Sequence, residues 1–329
     1  MKDPFFSETL LRWYGEYGRD LPWRRTRDPY AIWLSEIILQ QTRIAQGQAY
    51  WERFLAAFPD VQALAAASED EVLRLWQGLG YYSRARNLHA AARQIVAQGG
   101  FPETLEGIRA LKGVGDYTAA AIGSIAFGLP AAVVDGNVYR VLARHFGITT
   151  PVGSTAAKKE FTALAQSLLP ADRPGDFNQG MMDFGALHCT PSAPLCPVCP
   201  FAGSCTALAT SQVERLPVRE KGPEIQVRRF DYVYLRFQGR TAIRKRGAGD
   251  IWAGLWEPVV PDRLPDGARL LKANIRHNLT HRTLLVDFYF WKPAEEPALP
   301  EGYIWIEEAE LDRYAKPRLF ELLLAQLPR

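Results

Sequence analysis

The stretch Leu111–Arg140, LKGVGDYTAAAIGSIAFGLPAAVVDGNVYR, limits what this chain can fold into more than any other. It opens on two glycines one residue apart, Gly113 and Gly115, and passes straight into an alanine-rich helical pattern from Asp116 to Phe127. A glycine pair between helical patterns makes a tight turn with exposed backbone. The amides of such a turn, at a helix N-terminus, point outward and suit a phosphate. An ordinary helix–helix connector has the same signature. The second half of the stretch is more telling. Asp135 ends the apolar run Ala131 to Val134 and precedes Gly136, Asn137 and a second helical pattern. An Asp there is a good helix N-cap, and capping fixes the carboxylate in place.

The first 210 residues read as mostly helical. Phe5 to Tyr17 is amphipathic, Asp20 to Pro29 is a polar loop, and Tyr30 to Thr42 is a strongly apolar helix continued by Ala45 to Phe58. Two short helices extend from there to Trp76, the second capped by Ser68 with Glu71 three residues on. Gly78-Leu-Gly80 breaks the pattern before a helix from Arg84 to Ala97; two more, Ser154 to Leu169 and Asp176 to Leu187, lead into a cysteine loop. Residues 207–227 are polar and weakly periodic, as an interdomain connector would be. From Arg228 the chain turns β-branched and aromatic, with strands expected at Phe230–Phe237, Thr241–Lys245, Arg269–His277 and Thr283–Trp291. Short helical patterns close it at Glu308–Tyr314 and Pro317–Gln326.

The 47% apolar and 23% charged content of 329 residues fits a soluble, globular chain long enough for two domains. The sequence opens on no secretory apolar segment and holds no apolar run of about eighteen residues, so no membrane is expected. The net charge of +3 is too small to imply nucleic acid, but its distribution is uneven. Residues 215–248 hold ten Lys or Arg against three Asp or Glu, which suits either a solvated linker and strand edge or a phosphate-facing strip. All four cysteines lie between Cys189 and Cys205, spaced Cys189-x6-Cys196-x2-Cys199-x5-Cys205. A secreted disulfide framework would not leave the rest of the chain bare, so a metal site inside a cell is expected. Four cysteine ligands suit zinc or an iron–sulfur cluster, and zinc sites usually show two Cys-x-x-Cys pairs where this loop has one.

Glu36 is set among apolar neighbours in AIWLSEIILQQTR. Such surroundings favour the neutral carboxyl and suit a general acid, unless an arginine such as Arg24 or Arg43 pairs with it. The stretch Ser35-Glu-x-x-Leu-Gln-Gln-Thr42 resembles the active-site helix of MutY-type adenine DNA glycosylases, and the Gly-Val-Gly turn with Asp135 downstream is similar to the hairpin of the wider endonuclease III superfamily. Gly78-Leu-Gly-Tyr-Tyr-Ser-Arg84, the cysteine spacing and Gly249-Asp-Ile-Trp-Ala-Gly-Leu-Trp-Glu257 match the same family. The resemblance covers nearly the whole chain.

It implies a multidomain protein: an all-α helix-hairpin-helix glycosylase domain over residues 1–206, with the hairpin at 111–117 and a [4Fe–4S] loop at 189–205. The connector at 207–227 would lead to an α+β, Nudix-like 8-oxoguanine-recognition domain over 228–329. The activity implied is monofunctional removal of adenine mispaired with 8-oxoguanine or guanine in double-stranded DNA, as base excision repair. Glu36 would protonate adenine N7, Asp135 would stabilise or trap the sugar cation, and Asn137 would orient the pair or the water. Tyr117 stands where bifunctional relatives carry a Schiff-base lysine, so strand cleavage through an imine is not expected. Arg24 and Gln179 would line the adenine pocket. Gln41 and Tyr81 would enter the base stack, with Tyr82 packed in the core, and Lys112, Gly113 and Gly115 would grip the DNA backbone. Lys112 departs from the family's usual proline. Leu279-Thr280-His281 replaces the usual Phe-Ser-His that reads 8-oxoguanine, which keeps a hydroxyl and the imidazole and loses the aromatic ring. Cys189, Cys196, Cys199 and Cys205 would hold the cluster. No Nudix box comes after Glu257, so diphosphate hydrolysis is not expected. The setting implied is a cytoplasmic, nucleoid-associated monomer. Two alternatives stand beside it: a mismatch glycosylase of similar fold acting on thymine or uracil, and a mismatch-binding protein without catalysis.

Overall fold

The computed structural model describes residues 4–220, 225–247, 249–279 and 282–328. The chain divides into two compact units, Met1–Ala65 with Ala90–Lys221, and Ala66–His89 with Gly222–Arg329. The sequence-based division keeps residues 66–89 with the helical domain, whereas their contacts group them with the C-terminal one.

The helices in chain order are α1 (Pro4–Tyr17), α2 (Pro29–Leu39), α3 (Ile44–Ala57), α4 (Val61–Ala66), α5 (Glu69–Trp76), α6 (Ser83–Ala97), α7 (Leu105–Arg109), α8 (Asp116–Ala126), α9 (Gly136–Phe146), α10 (Thr155–Leu168), α11 (Pro174–Asp183) and α12 (Thr206–Ala209). A π-helical turn, Phe184–His188, extends α11 into the cysteine loop.

The first unit is built around α2. Pro29 opens this helix, and the Asp28 carboxylate accepts from the amides of Tyr30 and Ala31, filling donors that a helix start leaves unpaired. Eight of its eleven residues are buried, so it is enclosed rather than amphipathic. Ile32 packs with Ala120, Ala121, Ile125, Ala131 and Val133, which joins α2 to α8 and to the extended run before α9. A second cluster gathers Phe6, Leu10 and Trp13 of α1 with Val138, Val141 and Leu142 of α9, Phe161 of α10 and Phe177 of α11. The hairpin joins α7 to α8. Leu111 and Val114 are buried while Lys112, Gly113 and Gly115 are exposed, and Gly113 takes φ +77°. The expected connector packs against this unit up to residue 220, where Leu216 is buried and the Val152 amide donates to the Val218 carbonyl at 2.8 Å, while its last residues, Gln226 and Val227, already belong to the first strand of the second unit.

In the second unit, Ser68 and Glu71 form the expected capping box on α5. The strands are β1 (Gln226–Phe237), β2 (Arg240–Lys245), β3 (Trp256–Glu257), β4 (Arg269–Asn278), β5 (Arg282–Trp291) and β6 (Tyr303–Glu307). They form one mixed sheet in the order β3-β2-β1-β5-β4, with β6 on β2. β1 lies parallel to β5 with Val233 opposite Tyr289, and a crossover through β2, β3 and β4 makes this possible. Tyr232, Val286 and Phe288 face Leu319, Phe320 and Leu323 of the closing helix α13 (Arg318–Leu324). β6 has no counterpart among the expected strands, because its five residues lie in a stretch broken up by proline and acidic residues.

Candidate active site

A cavity of about 760 Å³ opens between α2, α8, the start of α9 and α11. Its lining includes Arg24, Glu36, Gln41, Tyr117, Asp135, Asn137 and Gln179, which lie far apart in the sequence. No lysine is among the residues that line it.

Glu36 enters from the last turns of α2. Burial pushes its carboxyl up to about 7, and the charge of Asp135 adds to this. A hydrogen bond from Tyr117 and the Arg24 cation act the other way and do not outweigh burial. At neutral pH the carboxyl is therefore poised to hold or release a proton. Burial keeps the Tyr117 phenol firmly protonated, with the Glu36 charge as the next cause. The Tyr117 hydroxyl also lies 3.3 Å from Met182 Sδ.

Asp135 is held differently. As N-cap of α9 it accepts from the Val138 amide through Oδ1 at 2.8 Å, while Asn137 Nδ2 donates to Oδ2 at 2.8 Å. Asn137 is fixed in turn by Arg140, whose Nη2 donates to Asn137 Oδ1 at 2.9 Å and to the Gly185 carbonyl at 2.6 Å. Arg140 Nε donates to the Cys189 carbonyl at 2.8 Å. One guanidinium thus ties the carboxamide beside Asp135 to the π-helical turn and to the first cysteine. That approach needs a glycine: a Cβ on Gly185 would lie 2.6 Å from Asn137 Cβ and 3.1 Å from its backbone oxygen.

The run into Asp135 is pinned from behind. Buried Asn178 donates to Ser124 Oγ and the Ala131 carbonyl, both at 2.8 Å, and accepts from the Val133 amide at 3.0 Å. Every polar atom of its amide has a partner, as a buried amide requires.

The wall of the cavity that carries Arg24 is charged. Asp183, fully buried, accepts from Arg24 Nη1 at 2.6 Å and Nη2 at 2.9 Å, and from the Arg19 amide and Nε, both at 2.8 Å. Gln179 Oε1 accepts from Tyr14 at 3.3 Å. Gln41 is exposed between α2 and α3 at φ +56°, in the left-handed region that costs a non-glycine residue energy.

Arg19, Arg140, Asn178 and Asp183 are absent from the sequence candidates. For Asp183 a signal existed: a lone carboxylate in GMMDFG, among apolar neighbours, needs a cationic partner. Nothing local marks Asn178.

Tyr81 lies in the second unit, 46% exposed and at φ +46°, whereas Tyr82 is buried. Leu279 is half-buried against the core of that unit, and its amide donates to the Arg282 carbonyl at 2.7 Å. Thr280 and His281 lie outside the described residues.

The four cysteines are unbridged, half-buried and line one small enclosure together with Arg144 and His188. Burial pushes the Cys199 thiol up to about 11 and raises Cys189 as well, so as free thiols both stay protonated. Among the described residues no three potential ligands are close enough to share one metal ion. A polynuclear cluster fits four sulfurs that surround a common space better than a single ion does. Arg144 Nη1 donates to Cys189 Sγ at 3.4 Å, which suits a negatively charged group there.

Residues 34–170 match the model of the HhH-GPD superfamily of base excision DNA repair proteins, and residues 232–326 match a NUDIX domain. The human adenine DNA glycosylase is 46% identical over 222 residues, which are 64% of this chain and 41% of that protein. The chain therefore spans about two fifths of its length. The adenine DNA glycosylase of Buchnera aphidicola subsp. Acyrthosiphon pisum is 34% identical over 76% of this chain and 73% of its own. Among solved structures, a thermostable thymine-DNA glycosylase superposes with a TM-score of 0.57 at 32% identity, over 63% of this chain and 96% of that one. A trapped endonuclease III–DNA covalent intermediate shares the fold, with a TM-score of 0.55 at 22% identity over 63% and 95% of the two chains. A relative matched across most of its own length, and a helical fold that brings the two carboxylates into one cavity, lead to the same conclusion: the chain belongs to the adenine DNA glycosylase family of the HhH-GPD superfamily.

Proposed function

We propose that the protein is a monofunctional glycosylase of base excision repair that hydrolyses adenine from DNA where it is mispaired with 8-oxoguanine or guanine. What supports this above all is one cavity shared by a carboxyl poised near pH 7 and a carboxylate fixed by an amide and a carboxamide. The adenine nucleotide must leave the stack to reach them. Glu36, protonated, gives its proton to N7, so that adenine leaves as a neutral base when the N-glycosidic bond breaks. The electron pair of that bond goes with the base, and the sugar is left as an oxocarbenium. The Asp135 carboxylate stabilises that cation or traps it covalently until water adds, in the manner of paired carboxylates with opposed tasks. Asn137 orients Asp135. Tyr117 keeps a phenol where an amine would form an imine, and the cavity offers no lysine in its place.

Gln41 and Tyr81 are the side chains that would hold the opened stack, and the hairpin amides around Gly113 and Gly115, with Lys112, would bind the backbone. Leu279, Thr280 and His281 would read 8-oxoguanine. Cys189, Cys196, Cys199 and Cys205 would hold a [4Fe–4S] cluster, which with four protein ligands has no open site and supplies a covalent staple for the loop.

Duplexes with adenine opposite 8-oxoguanine, guanine, cytosine or thymine test the reading, each treated with and without alkali. Alkali-dependent breaks at adenine opposite the first two bases are expected. Breaks without alkali, or excision of thymine or uracil in place of adenine, would overturn it. Asp135→Asn is expected to bind the 8-oxoguanine duplex normally and to release adenine roughly 10²–10⁴ times more slowly in single turnover.

A further inference from the structure

Asp183 has no part in the proposed excision chemistry, yet five donors converge on it. It lies at the end of α11, is fully buried, and receives two side-chain donors from Arg24 and, from Arg19, the main-chain amide and two side-chain donors, Nε and Nη2. Both arginines line the candidate active-site cavity, and the Arg24 side chain is only 12% exposed. Two guanidiniums share one anion, so the cluster has an excess positive charge, and Glu36 is the next carboxyl that Arg24 acts on. Other groups facing Glu36 are the Tyr117 phenol from α8 and Asp135 from the start of α9, with Arg19 and Arg43 on the cavity wall.

We propose that Asp183 is a positioning residue for excision: it clamps the Arg24 guanidinium as a fixed wall of the purine pocket and prevents that cation from pairing with Glu36. The bidentate geometry supports the clamp, since a planar guanidinium held through both terminal nitrogens cannot swing. Burial works against the Arg24 charge, and the Asp183 bond and charge, with smaller contributions from Tyr14 and Glu36, more than restore it. Without Asp183 the carboxyl group left to act on the Arg24 cation is Glu36, and the freed cation would turn to it. An ion-paired Glu36 would hold its proton less well and lose its use as a general acid.

The proposal rests on Glu36 acting as the acid, and the test separates the two. Single-turnover adenine release is measured from pH 5 to 9 on full-length wild-type protein and on Asp183→Asn, Arg24→Gln and Glu36→Gln. In wild type the rate falls as pH rises through the Glu36 titration, and Glu36→Gln abolishes that limb. If wild type shows no such limb, the acid assignment itself fails.

With the limb present, Asp183→Asn moves its midpoint down by about one pH unit, so that the variant regains its full rate only in more acidic buffer. Arg24→Gln moves it up, because a cation is removed and the carboxylate partner of that cation stays. Opposite shifts from the two members of one ion pair are the signature that a purely structural contact would not give. Equal losses at every pH in both variants, or a midpoint unmoved in Arg24→Gln, would overturn the proposal. The second outcome decides the matter even if Asp183→Asn does not fold.

Discussion

At the scale of single residues, the proposed chemistry depends on one carboxyl held in an unfavourable place. Glu36 is pushed up to about 7 mainly by burial, from an ordinary value of 4.5. The folded state therefore binds the Glu36 proton more tightly than the unfolded chain does, so stability falls as pH rises from about 4.5 to about 7. Below that window there is no penalty, and above it the penalty is complete. Glu36→Gln should therefore raise the unfolding free energy at pH 8 by about 1–3 kcal/mol and leave it nearly unchanged at pH 4. Chemical denaturation at the two pH values measures this, and an equal effect at both would mean that burial does not perturb the carboxyl. Stability lost in this way at an active site is a common exchange for a usable proton.

At the scale of elements, the site depends on how closely α11 and its π-helical turn approach the start of α9. The turn aligns the Gly185 carbonyl and Cys189 carbonyl with Arg140, and Arg140 carries that alignment to Asn137. Gly185→Ala puts a methyl 2.6 Å from Asn137 Cβ, and the backbone oxygen 3.1 Å away leaves it little room to shift. Destabilisation of about 1–3 kcal/mol is expected from overpacking of this kind. Adenine release should slow further than the lost stability explains, because Asn137 is displaced from Asp135. Thermal melting and single-turnover rates on the same preparation separate the two effects, and an unchanged rate would show that Asn137 tolerates the movement.

At the scale of the whole molecule, each unit carries a different part of the proposed function. In the first, purified protein should be brown and hold about four irons per chain. Zinc in their place would remove the cluster from the account. In the second, replacing Thr280 and His281 with Ala should reduce the preference for 8-oxoguanine over guanine opposite adenine at least severalfold. Comparing single-turnover rates on the two duplexes measures it, and an unchanged ratio would move recognition elsewhere. No helix among the described residues is long and apolar enough to cross a membrane.

The sequence alone determined whatever is encoded by local pattern. The apolar run of α2, the capping box at Ser68, the hairpin glycines and the change to strands beyond Arg228 are all set by neighbours within a turn or two of the chain. Motif resemblance placed Glu36 and Asp135 in one family, because those residues stand in distinctive runs. Only tertiary structure decided that they line a single cavity, since α2 and α9 are brought together by α8 and by Asn178 holding the run before Asp135. It also decided the partners of the site: Asp183 for Arg24, Arg140 for Asn137, Gly185 for the close approach. Those residues act on groups more than forty positions away in all but one case, and no periodicity or local spacing records such a pairing. The short strand β6 belongs to the same class, because its pairing with β2 exists only once the sheet has formed.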